Sequence, residues 1–232
     1  MSDGLFSVLF FAAVTVGSLH TIAPDHWVPF AAIARARDWS PWKTTRVTVL
    51  CGFGHVTVSA LLGLLGMVFG IRLFEALGRQ MESVAGLLLI GFGVAYGVWG
   101  WRRAVTARLH AQSHAHGHIH FHTHGHGRPH LHADDADSST LTVWGLFLLF
   151  CADPCVAVIP VMFAAAPLGT AQTAAIVAGY ELATILTMVA LVLPARAVAG
   201  RVIKGEWANR YGDATAGAVI VAVGVAVAAL GW

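Results

Sequence analysis

Long apolar runs separated by short polar stretches dominate the chain. A helix that crosses a bilayer needs about 20 apolar residues. Six runs meet this requirement, although the first is interrupted, and the last three follow a polar block at 102–140. They lie near 5–33, 47–70, 83–101, 141–166, 172–195 and 213–232. This pattern predicts an all-α membrane protein with six transmembrane helices.

Composition supports a membrane protein and excludes an ordinary soluble domain. Of the 232 residues, 57% are hydrophobic and only 11% are charged, whereas soluble domains carry roughly 25% charged residues. The net charge of +2 gives no reason to expect a nucleic-acid partner. The apolar start of the chain lacks a basic segment and a cleavage site, so we expect a retained span and not a signal peptide.

Basic residues predict how the spans are oriented. Three inter-span loops, which share one side in a six-span arrangement, each carry four Lys or Arg residues out of 14 in the chain. Only Arg72 and Arg79 fall on the other side. The positive-inside rule therefore places those three loops in the cytoplasm and both termini outside.

The order of three spans, a polar loop and three spans predicts two repeats. Because three is an odd number, the second repeat would enter the membrane from the opposite side, as in transporters with inverted repeats. We expect the first repeat at 1–109, a cytoplasmic loop at 110–137 and the second repeat at 138–232. The first span of each repeat carries a polar, proline-containing stretch, "HTIAPDH" and "CADPCVAVIP".

The first of these stretches predicts a metal site inside the membrane. His20, Asp25 and His26 lie in an apolar run, where ionisable groups usually face a cavity or pathway. Pro24 cannot donate a hydrogen bond to the carbonyl of His20, so the helix is expected to unwind there and bring the two imidazoles together. Two imidazoles and a carboxylate suit a divalent transition metal. A polar kink with backbone-bonded histidines is the alternative.

Other polar residues in the spans extend this prediction. His55 in "CGFGHVTVS" could be a further metal ligand or could make a hydrogen bond between helices. The glycines beside it allow another helix to pack closely. Asp153 and Cys155 could complete the metal path, although a free cysteine often packs as a small hydrophobe. Glu181 could bind the cation, relay protons, pair with a histidine or make a structural hydrogen bond.

A histidine-rich loop predicts metal affinity outside the membrane. Residues 110–137 hold ten of the 13 histidines and have no apolar periodicity. Such tracts bind transition metals through neutral imidazoles, although a linker without an ionic role is the alternative. The alternating candidate ligands are His114, His116, His118, His120, His122, His124 and His126.

The motifs resemble those of the nickel/cobalt transporter family. "HTIAPDH" matches its H-x4-D-H pattern, "GFGHVTVS" is similar to the motif of its following helix, and the histidine-rich loop is similar to that of the efflux branch. The resemblance covers residues 15–60 and the loop, and implies that His20, Asp25, His26 and His55 select the metal. In the second half, "DPCVAVIP" looks more like a segment of membrane thiol-disulfide electron transporters, which share the three-plus-three architecture of the lysine-exporter superfamily.

These features together predict a secondary transporter of a divalent metal and not an enzyme. The chain has no G-x4-G-K-[ST] nucleotide-binding loop. No covalent cofactor is expected; Ni²⁺ or Co²⁺ would be the transported ion, with Zn²⁺ as a further candidate. The expected setting is the inner membrane of a bacterium or archaeon, with a second copy of the chain or a metallochaperone as candidate partners. Alternatives are a thiol-disulfide electron carrier using Cys151 and Cys155, and a metal-binding accessory protein without transport.

Overall fold

The fold is built from helices throughout the part of the chain that the structure describes. This computed structural model describes residues 2–69, 71–113, 134–153, 155–203 and 205–230, and no strand occurs within those ranges. The helices are α1 (Ser2–His20), α2 (Pro24–Ala36), α3 (Pro41–Phe69), α4 (Ile71–Ser113), α5 (Asp134–Ala152), α6 (Val158–Ala165), α7 (Thr170–Val202) and α8 (Glu206–Leu230). A short 3-10 turn, Ala166–Leu168, follows α6.

Several helices are long and apolar enough for a multi-pass membrane protein. Four stretches qualify alone: Pro41–Met67, Val84–Thr106, Thr170–Val202 and Glu206–Ala229. The pair α1 and α2 qualifies as a fifth span, bent by 52° at a break. Large apolar side chains such as Phe11, Leu87 and Leu186 are more than half exposed, as a surface in contact with lipid requires.

The fourth predicted segment, 141–166, is divided in two. Its halves are the shorter apolar helices Thr140–Ala152 and Val158–Leu168. Neither half reaches the length of about 20 residues that a single helix needs to cross a bilayer. The physical cause lies in the "DPC" sequence, since a proline after α5 cannot continue the helical hydrogen-bond ladder. The predicted break in the first segment is also present, between His20 and Pro24.

Glycines on α4 allow it to pack closely against α8. A Cβ atom on Gly93 would lie 2.8 Å from the backbone nitrogen of Val221 and 2.9 Å from the carbonyl oxygen of Gly217. Gly86 and Gly100 meet the backbone of α8 in the same way. Small residues at such positions let two helix backbones approach in a membrane, so these glycines are explained by packing.

The long helices α3 and α7 bring the two broken helix pairs together. The helix α7 packs against α1 and α2, while α3 packs against α5 and α6, and α3 and α7 also contact each other. The helix α1 contacts α6 directly. Both breaks are therefore held beside the same pair of long helices, which is the arrangement that positions the candidate site.

The predicted histidine-rich loop is helical at both ends. The helix α4 continues to Ser113, and α5 begins at Asp134, so residues 110–113 and 134–137 belong to helices. The candidate metal ligands of the loop, His114 to His126, lie outside the described residues.

Candidate functional site

The break between α1 and α2 gives each helix an end at the same point. The helix α1 ends at His20, and α2 starts at Pro24. The backbone N–H of Ala23 donates to the carbonyl of His20 over 3.1 Å, and that of His26 donates to Ala23 over 3.2 Å. Because Pro24 has no N–H, the helix could not have paired the carbonyl of His20 in the regular way. The tight turn that results brings the side chains before and after it together.

Three imidazole rings meet at this break. The ring centroids of His20 and His26 are 4.5 Å apart, with an interplanar angle of 77°. The helix α3 supplies His55, whose ring centroid is 5.3 Å from that of His26. His26 is 4% exposed and His55 is 2% exposed. The chain thus places all three histidines that lie outside the loop in one cluster, in which His26 and His55 are buried and His20 is half-buried.

Hydrogen bonds define which nitrogen of two rings remains available. The Nδ1 atom of His26 lies 3.0 Å from Oδ1 of Asp25, and Nδ1 of His55 lies 3.0 Å from the carbonyl oxygen of Phe150. A carbonyl oxygen and a carboxylate both accept, so each Nδ1 carries the proton and donates it. In a neutral imidazole the lone pair then resides on Nε2, which is the form that binds a metal.

The Nε2 atoms are the unsatisfied groups of the cluster. In His20, His26 and His55, Nε2 is buried and has no hydrogen-bond partner within the part of the chain that the structure describes. Buried polar atoms in native proteins nearly always have a partner. Three such atoms on adjoining rings make this cluster the candidate binding site of the protein.

The second break supplies the carbonyl that orients His55. In a continued α5, the carbonyl of Phe150 would accept from the backbone N–H four residues later, but that residue is a proline in the sequence. The carbonyl is therefore free to accept from His55, 95 positions away along the chain. Sequence reasoning missed Phe150, and the signal that could have found it is the proline four residues after it.

The hydroxyl of Ser59 joins α3 to the residues after the second break. It donates to the carbonyl of His55 over 2.7 Å and accepts from the backbone N–H of Cys155 over 2.6 Å. The thiol of Cys155 lies 2.8 Å from the hydroxyl of Tyr180 on α7. The backbone N–H of Cys155 thus faces Ser59, and its thiol faces Tyr180. Neither Ser59 nor Tyr180 was predicted as a site residue.

The carboxylates predicted for the site lie in different surroundings. Asp25 is 8% exposed and bonds to His26. Asp153 is partly buried just beyond α5 and interacts electrostatically with His26. Glu181 is partly buried on α7, and its Oε1 atom has no hydrogen-bond partner among the described residues. No contact joins Glu181 to the three histidines in that part of the chain.

The cluster holds donor atoms without forming a closed coordination shell. Among the described residues, no group of three or more His, Cys, Asp or Glu side chains is already arranged to enclose a metal ion. The ring of His26 meets those of His20 and His55 edge to face. What the site offers chemically is a set of buried imidazole nitrogens beside carboxylates.

Comparison with known proteins adds no assignment. No family model, no curated protein and no solved structure matches the chain. The geometry of the two breaks and the motifs themselves are therefore the grounds for assigning a function.

Proposed function

We propose that the protein is a secondary transporter of a divalent transition metal, with nickel or cobalt favoured by the motif resemblance. The observation that carries the proposal is the set of three buried Nε2 atoms without partners, on His20, His26 and His55. Imidazole nitrogens are ligands for nickel, cobalt and zinc. An alternative in which the histidines only satisfy each other does not account for these atoms, because none of the three accepts or donates through Nε2.

Charge balance supports a doubly charged cargo. The histidines are neutral when their lone pairs bind a metal, so the charge of the ion must be met by carboxylates. Asp25 and Asp153 both interact electrostatically with His26, and together they would neutralise one divalent cation. Neutralising the ion in this way lowers the cost of holding it in a medium of low dielectric constant.

The site fits a two-repeat transporter with six membrane segments, and we include this arrangement in the proposal. It takes α1 with α2 and α5 with α6 as the broken first segments of two inverted repeats, with both termini outside and the histidine-rich loop in the cytoplasm. Support comes from the reciprocal packing, since α7 lies against the first broken pair and α3 against the second. Transporters of this kind bind substrate at discontinuous helices near the midplane.

The membrane potential determines whether entry or export of the ion would need an additional source of energy. Moving a doubly charged ion across 100 mV involves roughly 4.6 kcal/mol. A membrane that is negative inside therefore favours entry, whereas export requires coupling to another ion. The partly buried carboxylate of Glu181, which stands apart from the histidines, is a candidate for that coupling step.

The test begins with a protein from which residues 114–132 have been deleted, because the loop histidines would mask a single intramembrane site. We expect this protein to bind about one Ni²⁺ or Co²⁺ ion, measured by elemental analysis and calorimetric titration. His26→Ala and His55→Ala should each abolish binding. Thr44→Ala, which removes another buried polar group from α3, is the matched control and should bind normally.

Flux measurements then separate transport from the alternatives. Proteoliposomes with the parent protein should accumulate the metal, and those with His55→Ala should not. Binding without flux in the parent would favour an accessory protein. Absence of binding in the loop-deleted parent would overturn the metal proposal, and labelling of Cys151 and Cys155 with a thiol reagent would then test the electron-carrier alternative.

A further inference from the structure

A basic cavity of about 1210 Å³ lies at the other end of α2 from the histidine cluster. It is formed where α2 ends, α3 begins, α7 ends and α8 begins, with α4 closing one side. Nine residues separate His26 from Arg35 along α2, which corresponds to about 13 Å at the helical rise per residue. The basic cavity is therefore distinct from the candidate metal site.

Positive charge exceeds negative charge in this cavity. Six cationic side chains line it against three acidic ones. The cationic ones are Arg35, Arg37, Lys43, Arg103, Arg196 and Arg210. Of the acids, Asp213 is already engaged, since it lies 2.9 Å from Arg37 and 3.3 Å from Arg103 and accepts from Tyr96. The lining therefore carries three more cationic side chains than acidic ones.

Two arginines carry buried donors without a partner. The Nε atoms of Arg35 and Arg196 are buried and have no hydrogen-bond partner among the residues that the structure describes. A terminal nitrogen of Arg35 donates to the carbonyl of Ile203 over 2.6 Å, which fixes the guanidinium in place. The only carboxylate paired with Arg196 in that part of the chain is Asp38, at 4.0 Å, and Asp38 is 94% exposed on its side chain.

Gly200 shows that these two arginines share one wall of the cavity. A Cβ atom on Gly200 would lie 3.7 Å from Cδ and 3.8 Å from Nε of Arg35, so the Arg35 side chain crosses α7 at this glycine. Arg196 stands four residues earlier on α7 and therefore on the same face, one turn away. Two neighbouring guanidinium groups with unsatisfied donors are a site for an anion that can accept several hydrogen bonds.

We propose that the basic cavity binds a phosphate ester group through Arg35 and Arg196. Arginine forks match the oxygen geometry of phosphate, and the cavity volume leaves room for the rest of a larger anion. Two sources share this chemistry: the headgroup of an anionic phospholipid and a soluble polyphosphate. Basic pockets between membrane helices are known to take lipid headgroups. The proposal is independent of metal transport.

The experiment titrates the full chain, purified in a phosphate-free neutral detergent with a metal chelator, at about pH 7.5, where ordinary imidazoles are mostly neutral. The two probes are inorganic pyrophosphate and a short-chain phosphatidylglycerol, each followed by calorimetry. Affinity for the phospholipid alone identifies the headgroup as the source, and affinity for pyrophosphate identifies a soluble anion. Failure of both probes to bind overturns the proposal.

Variants connect binding to the two arginines. Arg35→Gln with Arg196→Gln should weaken binding by more than about tenfold, since each loses a charge-assisted hydrogen bond. The control is Arg102→Gln, which removes an exposed cation next to the lining residue Arg103 and should leave affinity unchanged. Equal loss in the double variant and the control would contradict a specific site. If the double variant does not fold, Arg196→Gln alone is tested for weakened binding. It should fold, because the ion pair that it removes, with Asp38, is long and solvent-exposed.

Discussion

Replacing Asp25 by asparagine would test the metal affinity that we propose for the histidine cluster. The carboxylate accepts from Nδ1 of His26 over 3.0 Å and is 8% exposed. Asparagine retains the shape and one acceptor oxygen, so the ring of His26 should keep its orientation. The negative charge is lost, which makes Nε2 of His26 a weaker donor to a metal and removes a counter-charge for the ion.

The expected loss of metal affinity follows from the position of Asp25 as the hydrogen-bond partner of His26. Removing an outer partner of a ligating histidine typically costs about 10–100-fold in metal affinity, which corresponds to about 1.4–2.8 kcal/mol. Burial argues for the upper part of this range, because water cannot take the place of the carboxylate as it would at a surface. The electrostatic interaction of Asp153 with His26 supplies the residual counter-charge.

The assay is a nickel titration of the protein lacking residues 114–132, with the parent and the Asp25→Asn variant compared at one pH. The matched control is Asp213→Asn, which neutralises another buried carboxylate, on α8, that bonds to Tyr96 and not to a histidine. We expect the control to bind nickel like the parent. Unchanged affinity in Asp25→Asn, with the fold intact by circular dichroism, would refute the proposed role of the carboxylate.

Two further predictions concern the packing that supports the site, and both are measured by thermal unfolding in detergent. Gly93→Ala should destabilise the protein by about 1–3 kcal/mol, because the added Cβ would lie 2.8 Å from the backbone nitrogen of Val221. The control Gly91→Ala, which has open space around it, should be neutral or stabilising. Similar melting temperatures for the two variants would contradict this. Ser59→Ala should cost about 1–3 kcal/mol, since it leaves the buried N–H of Cys155 without its acceptor; an unchanged melting temperature would show that another group replaces the hydroxyl.

The first break could be predicted from the sequence because its cause is local. Pro24 follows His20 by four residues, and this spacing alone removes a helical hydrogen bond. The bend of 52° and the contact between the rings of His20 and His26 follow from that local event. The apolar runs were equally local signals, and each of the six overlaps at least one helix of the structure.

Features that depend on distant residues could not be predicted in the same way. The bond from His55 to Phe150 joins positions 95 apart, and nothing in either neighbourhood specifies the other. The helix α4 continues to Ser113 and α5 begins at Asp134, and apolar periodicity alone cannot follow a helix through such polar residues. The basic cavity also could not be predicted from the sequence, since its arginines come from three separate inter-span loops.

The two helix breaks act together in building the histidine cluster. The proline of the first break brings His20 and His26 together, and the proline after α5 releases the carbonyl of Phe150 that orients His55. With the first break alone, the ring of His55 would lack the carbonyl that orients it. With the second break alone, His20 and His26 would not be brought together. Because α3 carries His55 and packs against α5 and α6, a shift of the second broken pair would move the Phe150 carbonyl and with it the third nitrogen. If the protein transports a metal as we propose, such a shift would change how many nitrogens face the ion, which would couple binding to access.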